Sequence, residues 1–321
     1  MNNNLYIIIP YFNYFNNFFR ALNLIAFLKS CIKYSNNFLK CKIIIAEGFT
    51  SENSCHTLDS KDSSINSIFQ KVVENENIIY VKYPIPQKIW VKENLINLVV
   101  KNHLPKDWKY FCWLDGDIIF EDEDWIQNSI DLLNQFDIIQ MFSVSFNQSR
   151  YGIKDFIGAY GHIYNSMKNN NNKIISILFP THTGYAWGIT RNFYEKIGGL
   201  WDCNIIGSAD SIIARCTTQI LEEQELLKIS ALNIIYSENY SKQLLEYYLK
   251  FKNCKYSYLN CHVFHLYHGD LLKRKYVERH QILRKYNYDK TFLKYNDDGI
   301  VYLENLDLQK EIEDYLTIKE N

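Results

Sequence analysis

Three features are missing from the sequence, and each absence excludes a class of protein. No apolar stretch approaches the roughly 18 residues that a membrane-spanning helix needs. Neither sign of charge dominates, since 35 Lys and Arg residues stand against 36 Asp and Glu residues, so the electrostatic footprint of a nucleic-acid-binding protein is absent. None of the eight cysteines forms a CxxC pair, and we therefore expect reduced, mostly buried thiols instead of a disulfide framework.

The first residues also lack the pattern of a secretory signal. Met1 and three asparagines precede a short apolar run, and no basic residue stands before it. A signal peptide would need a positively charged start and a longer apolar segment. Together with the reduced thiols, this predicts a cytoplasmic location.

The composition is that of a folded protein with a sizeable core. Hydrophobic residues make up 47% of the 321 residues and charged residues 22%, which excludes wholesale disorder. The length fits two domains of about 150 residues or one enlarged α/β domain equally well. Aromatic residues reach 16%; core filling is their more common use, and stacking on a ring-shaped ligand is the alternative.

The first half of the chain alternates short apolar runs with amphipathic segments. We predict strands over 5–10, 42–47, 77–82 and 110–114, and helices over 15–28 and 91–102. Apolar runs of this length, separated by helices, are typical of buried parallel strands. The predicted fold class is therefore α/β, with a mostly parallel central sheet flanked by helices.

The second half is less regular. We expect a long loop over 147–172, strands over 174–178 and 260–267, a helix over 208–227 and an amphipathic set over 303–316. The best candidate boundary lies after Tyr288. It predicts a main domain of residues 1–289 and a small C-terminal appendage of residues 290–321.

The strongest chemical signal is Asp115-Gly-Asp117, directly after the predicted strand 110–114. Residues two apart in a strand share a face, so both carboxylates should project together. Two carboxylates beside Trp113 and Phe120 do not both stay ionised cheaply without a cation, and Mg²⁺ or Mn²⁺ takes such oxygen-rich sites. The alternative is that the pair belongs to a solvated acidic face that continues over 121–124.

Three histidines at steps of three form the second signal, at His262, His265 and His268. If this segment is a strand, His262 and His268 share one face and His265 points away, which argues against a three-histidine zinc site. His268 is then the candidate to complete the Asp-rich metal site. A structural role is the alternative for any one of the three.

A glycine-rich segment surrounds Trp187, and Asp210 follows it. Glycines allow a ligand to approach the backbone closely, and the indole offers a face to a sugar ring. Asp210 stands at the predicted start of a helix, where the helix dipole alone favours a carboxylate, so capping and catalysis both stay open. Two weaker signals are Glu47 at the C-terminal end of the second strand and Lys92 near the start of a helix.

Taken in order, these segments resemble the GT-A glycosyltransferases of the family 2-like and galactosyltransferase-like kind. The resemblance covers roughly residues 5–289. The matching pieces are Ile7–Pro10 with Asn13 and Arg20, Glu47, Trp90–Asn97, Trp113–Asp117, Gly184–Gly188 with Gly198-Gly199, Gly207–Asp210, and His268-Gly269. This resemblance implies a GT-A (Rossmann-like) fold.

The resemblance also implies roles for residues that would bind the nucleotide-sugar. Glu47 would contact the nucleotide base, Lys92 would lie near the ribose or the phosphates, and Trp187 would shape the sugar pocket.

Four further positions carry the implied metal and catalytic roles. Asp115 would contact the ribose or the metal, whereas Asp117 and His268 would ligate the metal. Asp210 would be the general base, although Gly207–Asp210 lacks the acid that usually precedes this aspartate in the galactosyltransferase version.

The predicted function is a metal-dependent glycosyltransferase that uses Mn²⁺ or Mg²⁺. It would transfer a sugar from a nucleotide-sugar, with a UDP-sugar as the first expectation, to a hydroxyl of a glycan, glycolipid or protein acceptor, with inversion. One alternative is a nucleotidyltransferase, for which a Gly-rich basic loop would be expected where this chain has the aromatic segment Tyr11–Asn16. The other is a non-catalytic sugar-binding protein on the same fold.

Overall fold

The computed structural model of the protein describes residues 5–52, 57–58, 64–152, 158–169, 181–219, 235–269 and 271–320. Within these ranges the strands are β1 (Leu5–Phe12), β2 (Cys41–Phe49), β3 (Ile78–Pro84), β4 (Tyr110–Leu114), β5 (Ile118–Phe120), β6 (Ile138–Gln140), β7 (Val144–Asn147), β8 (Ala159–Gly161), β9 (Thr181–His182), β10 (Ala186–Thr190), β11 (Tyr256–Tyr258), β12 (His262–His265), β13 (Leu293–Tyr295) and β14 (Val301–Leu303). The helices are α1 (Phe18–Tyr34), α2 (Ser64–Val73), α3 (Lys92–Asn102), α4 (Trp125–Leu133), α5 (His162–Asn169), α6 (Arg191–Ile197), α7 (Ala209–Thr218), α8 (Glu238–Leu249), α9 (His280–Lys285) and α10 (Leu306–Glu320).

Seven strands form the central sheet, in the order β11-β6-β10-β4-β1-β2-β3. Both pairs that include β10 are antiparallel and the other neighbouring pairs are parallel, so β10 alone runs against the other six strands. The apolar runs Ile7–Ile9 and Ile43–Ile45 are fully buried, as parallel strands covered on both faces require. The predicted α/β class with a mostly parallel central sheet is confirmed.

The two faces of the sheet belong to two layers of the hydrophobic core. Ile8 and Trp113 lie in the layer that also contains residues of α3, whereas Ile7 and Cys112 lie in the layer that contains residues of α1. Adjacent residues of one strand point to opposite faces, so each strand contributes to both layers. This packing holds the carboxyl ends of β1 and β4 in fixed positions beside each other.

A second sheet of five strands continues from the centre, in the order β5-β12-β7-β8-β9. Strand β5 follows the aspartate motif by sequence, and β12 pairs with it antiparallel so that His265 lies opposite Ile118. This pairing joins two segments that are almost 150 positions apart along the chain. It is the structural reason why the histidine segment reaches the aspartates.

One predicted element in the second half differs from the structure, and two others lie wholly or partly outside the described residues. The segment predicted as a loop over 147–172 contains β8 and α5 within its described part, because β8 pairs with β7 and β9 and Ile163 of α5 is buried. Tertiary pairing of this kind overrides weak local propensity. The predicted strand over 174–178 lies outside the described residues, and so does the predicted helix beyond Gln219.

The segment after residue 289 packs into the central core. Leu308, Ile312 and Leu316 of α10 are buried and belong to the same core layer as Trp113. The division of the chain at residue 289 stays a prediction, but the side chains on both sides of it share one core layer. Among the described helices, none combines the length and apolar character needed to cross a membrane.

We predict that truncation of the buried face of α10 destabilises the whole chain. Ile312 is 0% exposed and Ile318 on the same helix is 51% exposed, so Ile312→Ala should lower the free energy of unfolding by about 2–5 kcal/mol, whereas Ile318→Ala should change it by about 0.5 kcal/mol or less. Urea unfolding of both variants followed by circular dichroism measures the difference. Equal, small effects would show that α10 is not integrated into the core.

Candidate active site

A cavity of about 400 Å³ lies at the carboxyl ends of β1 and β4. This is the edge at which open α/β sheets bind ligands, and the volume is that of a small-molecule site. Five residues selected from the sequence line it, namely Lys92, Asp115, Asp117, Asp210 and His268. The fold therefore brings together side chains from four separate stretches of the chain.

Two other selected residues lie elsewhere. Glu47 is buried, and its carboxylate accepts hydrogen bonds from the Leu58 N–H at 3.1 Å and from the Tyr80 hydroxyl. Trp187 is also buried; its ring stacks on Trp113 with centroids 6.2 Å apart. Neither Glu47 nor Trp187 is among the described residues that line the cavity, so their proposed contacts with the base and the sugar stay predictions.

The turn that carries the aspartates packs tightly on the core at its central glycine. Strand β4 ends at Leu114, and the Asp115 N–H then donates to the Tyr185 carbonyl at 2.8 Å. A Cβ atom on Gly116 would lie 3.1 Å from Leu24 Cδ1 and 3.2 Å from Ile9 Cγ2. The turn is thus pressed against the core at Gly116, and both neighbouring aspartates line the cavity.

Lys92 forms a buried ion pair with the first aspartate. Its Nζ lies 2.5 Å from Asp115 Oδ1, and its side chain is 8% exposed. Burial by itself lowers the pKa of Lys92, but the carboxylates of Asp115, Asp210 and Glu93 outweigh it and raise the pKa above its usual value. Lys92 is therefore a fixed cation at the wall of the cavity, where it can bind phosphate oxygens.

Asp117, His265 and His268 form a cluster that can hold a metal ion. One potential ligand atom from each residue lies within 4.8 Å of the other two. His268 Nε2 is 3.1 Å from Asp117 Oδ2, and His265 Nε2 is 3.8 Å from Asp117 Oδ1. The side chains of Asn17, just before α1, and Asn23, within it, donate to the carbonyls of His268 and Tyr267, which fixes the segment after β12 against the sheet.

The prediction that His265 points away from the site was wrong. Strand β12 ends at His265, so the alternation of faces does not continue to His268. His265 is buried beside Asp117, whereas His262 is half-exposed and its Nδ1 lies 2.7 Å from Glu121 Oε2. The histidines of the cluster are therefore His265 and His268, and His262 lies outside it.

The protonation states in the cluster fit a divalent cation. Burial, together with the nearby charges of Arg274 and Arg20, holds the pKa of both His265 and His268 well below the usual value, so both imidazoles are neutral near pH 7. The pKa of Asp117 is raised to about 6, mainly by burial and to a smaller extent by the negative charge of Asp115. Neutral imidazoles and a carboxylate are the forms that bind transition metals.

Several acceptor atoms face one another at the centre of the cluster. Arg274 Nη2 donates to His268 Nε2 at 2.7 Å, and this imidazole nitrogen also faces Asp117 Oδ2 at 3.1 Å. Asp117 Oδ1 is buried and has no hydrogen-bond partner among the described residues. A buried, unpartnered carboxylate oxygen is costly, and a cation bound between Asp117 and the imidazoles would satisfy it.

Asp210 faces the cavity from the first turn of α7. Ser208, the residue before the helix, has a left-handed backbone with φ of 80°, and Asp210 Oδ1 accepts a hydrogen bond from the Ser211 N–H at 2.9 Å. Asp210 Oδ2 lies so close to Gly184 that a Cβ atom there would collide with it. Gly184 therefore makes room for the carboxylate, a role that the glycine pattern alone did not indicate.

Several cavity residues were not assigned a role from the sequence. They are mostly basic: Arg20, His182, Arg274, Arg279 and Lys319. Arg20 was noted in the sequence only as part of a resemblance and without a role, and the density of basic residues over 273–285 is the one local signal for Arg274 and Arg279. No sequence pattern links Lys319 to the cavity, because α10 reaches it only through tertiary packing.

Comparison with known proteins gives no family assignment. No protein-family model and no curated protein matches the chain. Among solved structures, the chain is similar to a 4-diphosphocytidyl-2C-methyl-D-erythritol synthase from Anaerococcus prevotii, with 9% identity, 98% of this chain and 97% of that chain covered, and a TM-score of 0.35. It is similar to a glucosyl-3-phosphoglycerate synthase from Mycobacterium tuberculosis, with 8% identity, 94% and 86% covered, and a TM-score of 0.36.

A third similar structure is a UDP-glucose pyrophosphorylase, with 9% identity, 60% of this chain and 79% of that chain covered, and a TM-score of 0.31. These three proteins include both sugar-transferring and nucleotidyl-transferring enzymes. At such low scores the likeness does not distinguish between these activities for this chain. Any functional assignment therefore depends on the sheet topology and the cavity of the chain itself.

We predict that His265 contributes to metal binding and that His262, on the same strand, does not. His265→Asn should weaken the binding of Mn²⁺ at least tenfold, because the cluster loses one of its ligand atoms, whereas His262→Asn should leave it unchanged. Isothermal titration of each variant with MnCl₂ measures this directly and does not depend on knowing the substrate. Equal affinity in the two variants would exclude His265 from the site.

Proposed function

We propose that the protein is a metal-dependent glycosyltransferase that transfers a sugar from a nucleotide-sugar to an acceptor hydroxyl. A UDP-sugar is the expected donor, and inversion is the expected outcome. The observation that carries this proposal is the placement of the Asp117–His265–His268 cluster in one cavity with Lys92 and Asp210. In this proposal the cluster would hold the metal, Lys92 would bind phosphate oxygens and Asp210 would act as the base.

Of the two expected ions, Mn²⁺ fits the cluster better than Mg²⁺, because Asp117, His265 and His268 would supply two imidazole ligands and Mg²⁺ prefers oxygen. When bound there, the ion would supply a Lewis acid that neutralises negative charge on a departing diphosphate. Lys92 and Arg20 line the same cavity and can bind further phosphate oxygens. Arg274 donates to His268 Nε2 and lines the same cavity, so its guanidinium would also be within the site to bind phosphate oxygens.

Asp210 is the candidate general base. In the proposed step the acceptor hydroxyl gives its proton to the Asp210 carboxylate, while its oxygen forms a bond to the anomeric carbon. The bond between that carbon and the phosphate oxygen breaks, and the electron pair leaves with the nucleoside diphosphate. The hydrogen bond from the Ser211 N–H holds the carboxylate in place for this transfer.

The segment after β1 supports sugar transfer over nucleotidyl transfer. Asn13 Oδ1 accepts from the Asn17 N–H at 2.8 Å, and the Tyr14 hydroxyl donates to the Ile89 carbonyl at 3.0 Å. This turn is built from aromatic and asparagine side chains, and a Gly-rich basic loop of the nucleotidyltransferase kind does not occur there. The aspartate and histidine cluster in turn supports catalysis over simple sugar binding.

The reaction products distinguish the three functions. We expect incubation with a panel of nucleotide-sugars, Mn²⁺ and mixed sugar acceptors to release a nucleoside diphosphate, and we expect EDTA to stop the release and added Mn²⁺ to restore it. Release of pyrophosphate from a nucleoside triphosphate and a sugar phosphate would instead identify a nucleotidyltransferase. Binding of a sugar without turnover in either assay would identify a non-catalytic protein.

We predict that Asp210→Asn lowers kcat by about 10²–10⁴, the usual contribution of a general base. Donor binding, measured as the Kd for the nucleotide-sugar in the presence of Mn²⁺, should change little because the amide keeps the shape of the side chain. A loss of donor affinity with an unchanged kcat would assign Asp210 to binding and not to proton transfer.

A further inference from the structure

Arg279 is a buried cation that no described carboxylate neutralises. It is 6% exposed, yet it lines the cavity. Its guanidinium donates to the hydroxyls of Ser208 and Tyr315 and lies 5.1 Å from the centre of the Tyr276 ring. Among the described residues it forms no ion pair, and its Nε has no hydrogen-bond partner there. A buried charge without a counter-ion is costly, so the arrangement favours binding of an anion from the cavity.

Arg279 lies beside the segment that carries the candidate base. Its guanidinium donates to the Ser208 hydroxyl, two residues before Asp210. Lys92, in contrast, pairs with Asp115, and Arg274 contacts His268. Of these three cations, Arg279 is the one without a carboxylate or imidazole partner among the described residues, and it adjoins the base to which the acceptor must bring its hydroxyl.

Gly207 allows Arg279 and Trp90 to meet beside the start of α7. Gly207 has a left-handed backbone with φ of 90°, and a Cβ atom on it would lie 3.4 Å from both Arg279 Nη1 and Trp90 Cε2. A residue other than glycine would be strained by this backbone conformation, and its Cβ would lie in van der Waals contact with both groups. The absence of a side chain keeps the guanidinium and the indole open to the cavity.

Lys319 adds a second cation to the same wall. It is 9% exposed, lines the cavity, and its Nζ lies 4.3 Å from the centre of the Trp90 ring. Trp90 thus connects Lys319 of α10 with Gly207 and Arg279. An ammonium and a guanidinium on one wall match the charge of a carboxylate or a phosphate.

We infer that the acceptor is an acidic sugar, and that its carboxylate or phosphate binds between Arg279 and Lys319 while its hydroxyl meets Asp210. This inference rests on the proposed function and adds the chemical class of the acceptor. A neutral acceptor would bring no counter-ion to Arg279. An acidic one neutralises the guanidinium and positions the nucleophile in the same contact.

Direct binding tests the inference without turnover. Isothermal titration uses glucuronate, glucose 6-phosphate and glucose as probes, with the full chain saturated with UDP and Mn²⁺. We expect at least one acidic sugar to bind at least tenfold more tightly than glucose, and the comparison of the two acids shows whether a carboxylate or a phosphate is preferred. Arg279→Gln and Lys319→Gln should each weaken that binding at least tenfold, whereas Arg279→Lys should weaken it less.

Arg191→Gln is the matched control, because Arg191 is a surface arginine that pairs with Glu195 and lies outside the described lining of the cavity. It should leave binding unchanged. Lys319 lies in the last turn of α10, so Lys319→Gln keeps the test valid if Arg279→Gln unfolds, which thermal unfolding of each variant would reveal.

Three results would overturn the inference. The first is equal binding of glucose and both acidic sugars. The second is binding of an acidic sugar that neither Arg279→Gln nor Lys319→Gln weakens. The third is displacement of the acidic sugar by UDP and Mn²⁺, which would assign the two cations to the donor. If UDP itself does not bind, the proposed function fails instead. Titration of the same variants without nucleotide then still shows whether Arg279 and Lys319 hold an oxyanion.

Discussion

The Asp117 carboxylate, buried against two neutral imidazoles, is the interaction on which the proposed chemistry depends. One carboxylate oxygen lies 3.1 Å from His268 Nε2, and the other has no hydrogen-bond partner among the described residues. Such a group is stable only if positive charge is close to it. The cavity provides that charge through arginines, and the cluster provides the ligands for a divalent ion.

The fold produces this arrangement by joining two sheets at the aspartate turn. Strand β4 delivers Asp115 and Asp117 at the edge of the central sheet, and the pairing of β5 with β12 returns the histidines to the same place. Gly116 permits the turn to pack on the core. The metal cluster is therefore positioned by backbone pairing, and the base on α7 approaches it from a different layer of the fold.

Much of this could be predicted from local sequence patterns, and the remainder depends on distant contacts. The apolar runs Ile7–Ile9 and Ile43–Ile45 indicate buried parallel strands because they are short, rich in β-branched residues and soon followed by a proline and a glycine, respectively. His262 and His265 lie on opposite faces of β12 as alternation requires, but His268 does not share the face of His262, because β12 ends at His265 and the alternation stops there. The element α5 was missed since its helix is held by neighbouring strands and not by its own propensity.

Among the cavity residues, too, some stand in local sequence patterns and others depend on distant contacts. Lys92, Asp115, Asp117, Asp210 and His268 stand in recognisable motifs, and the structure brings them together. Trp187 also stands in a motif, but its place on a central strand turns its ring toward Trp113 in the core. Arg279 is marked only by the basic composition of its segment and Lys319 by no pattern, because Lys319 reaches Trp90 and the cavity only through the packing of α10.

The most direct test of the proposed metal site is anomalous X-ray diffraction from crystals of the full chain grown with Mn²⁺. We expect one strong anomalous peak bonded to the Asp117 carboxylate and to the imidazoles of His265 and His268, with Arg274 displaced from His268. A crystal at saturating Mn²⁺ with no peak at this cluster, and with Arg274 still hydrogen-bonded to His268, would contradict it.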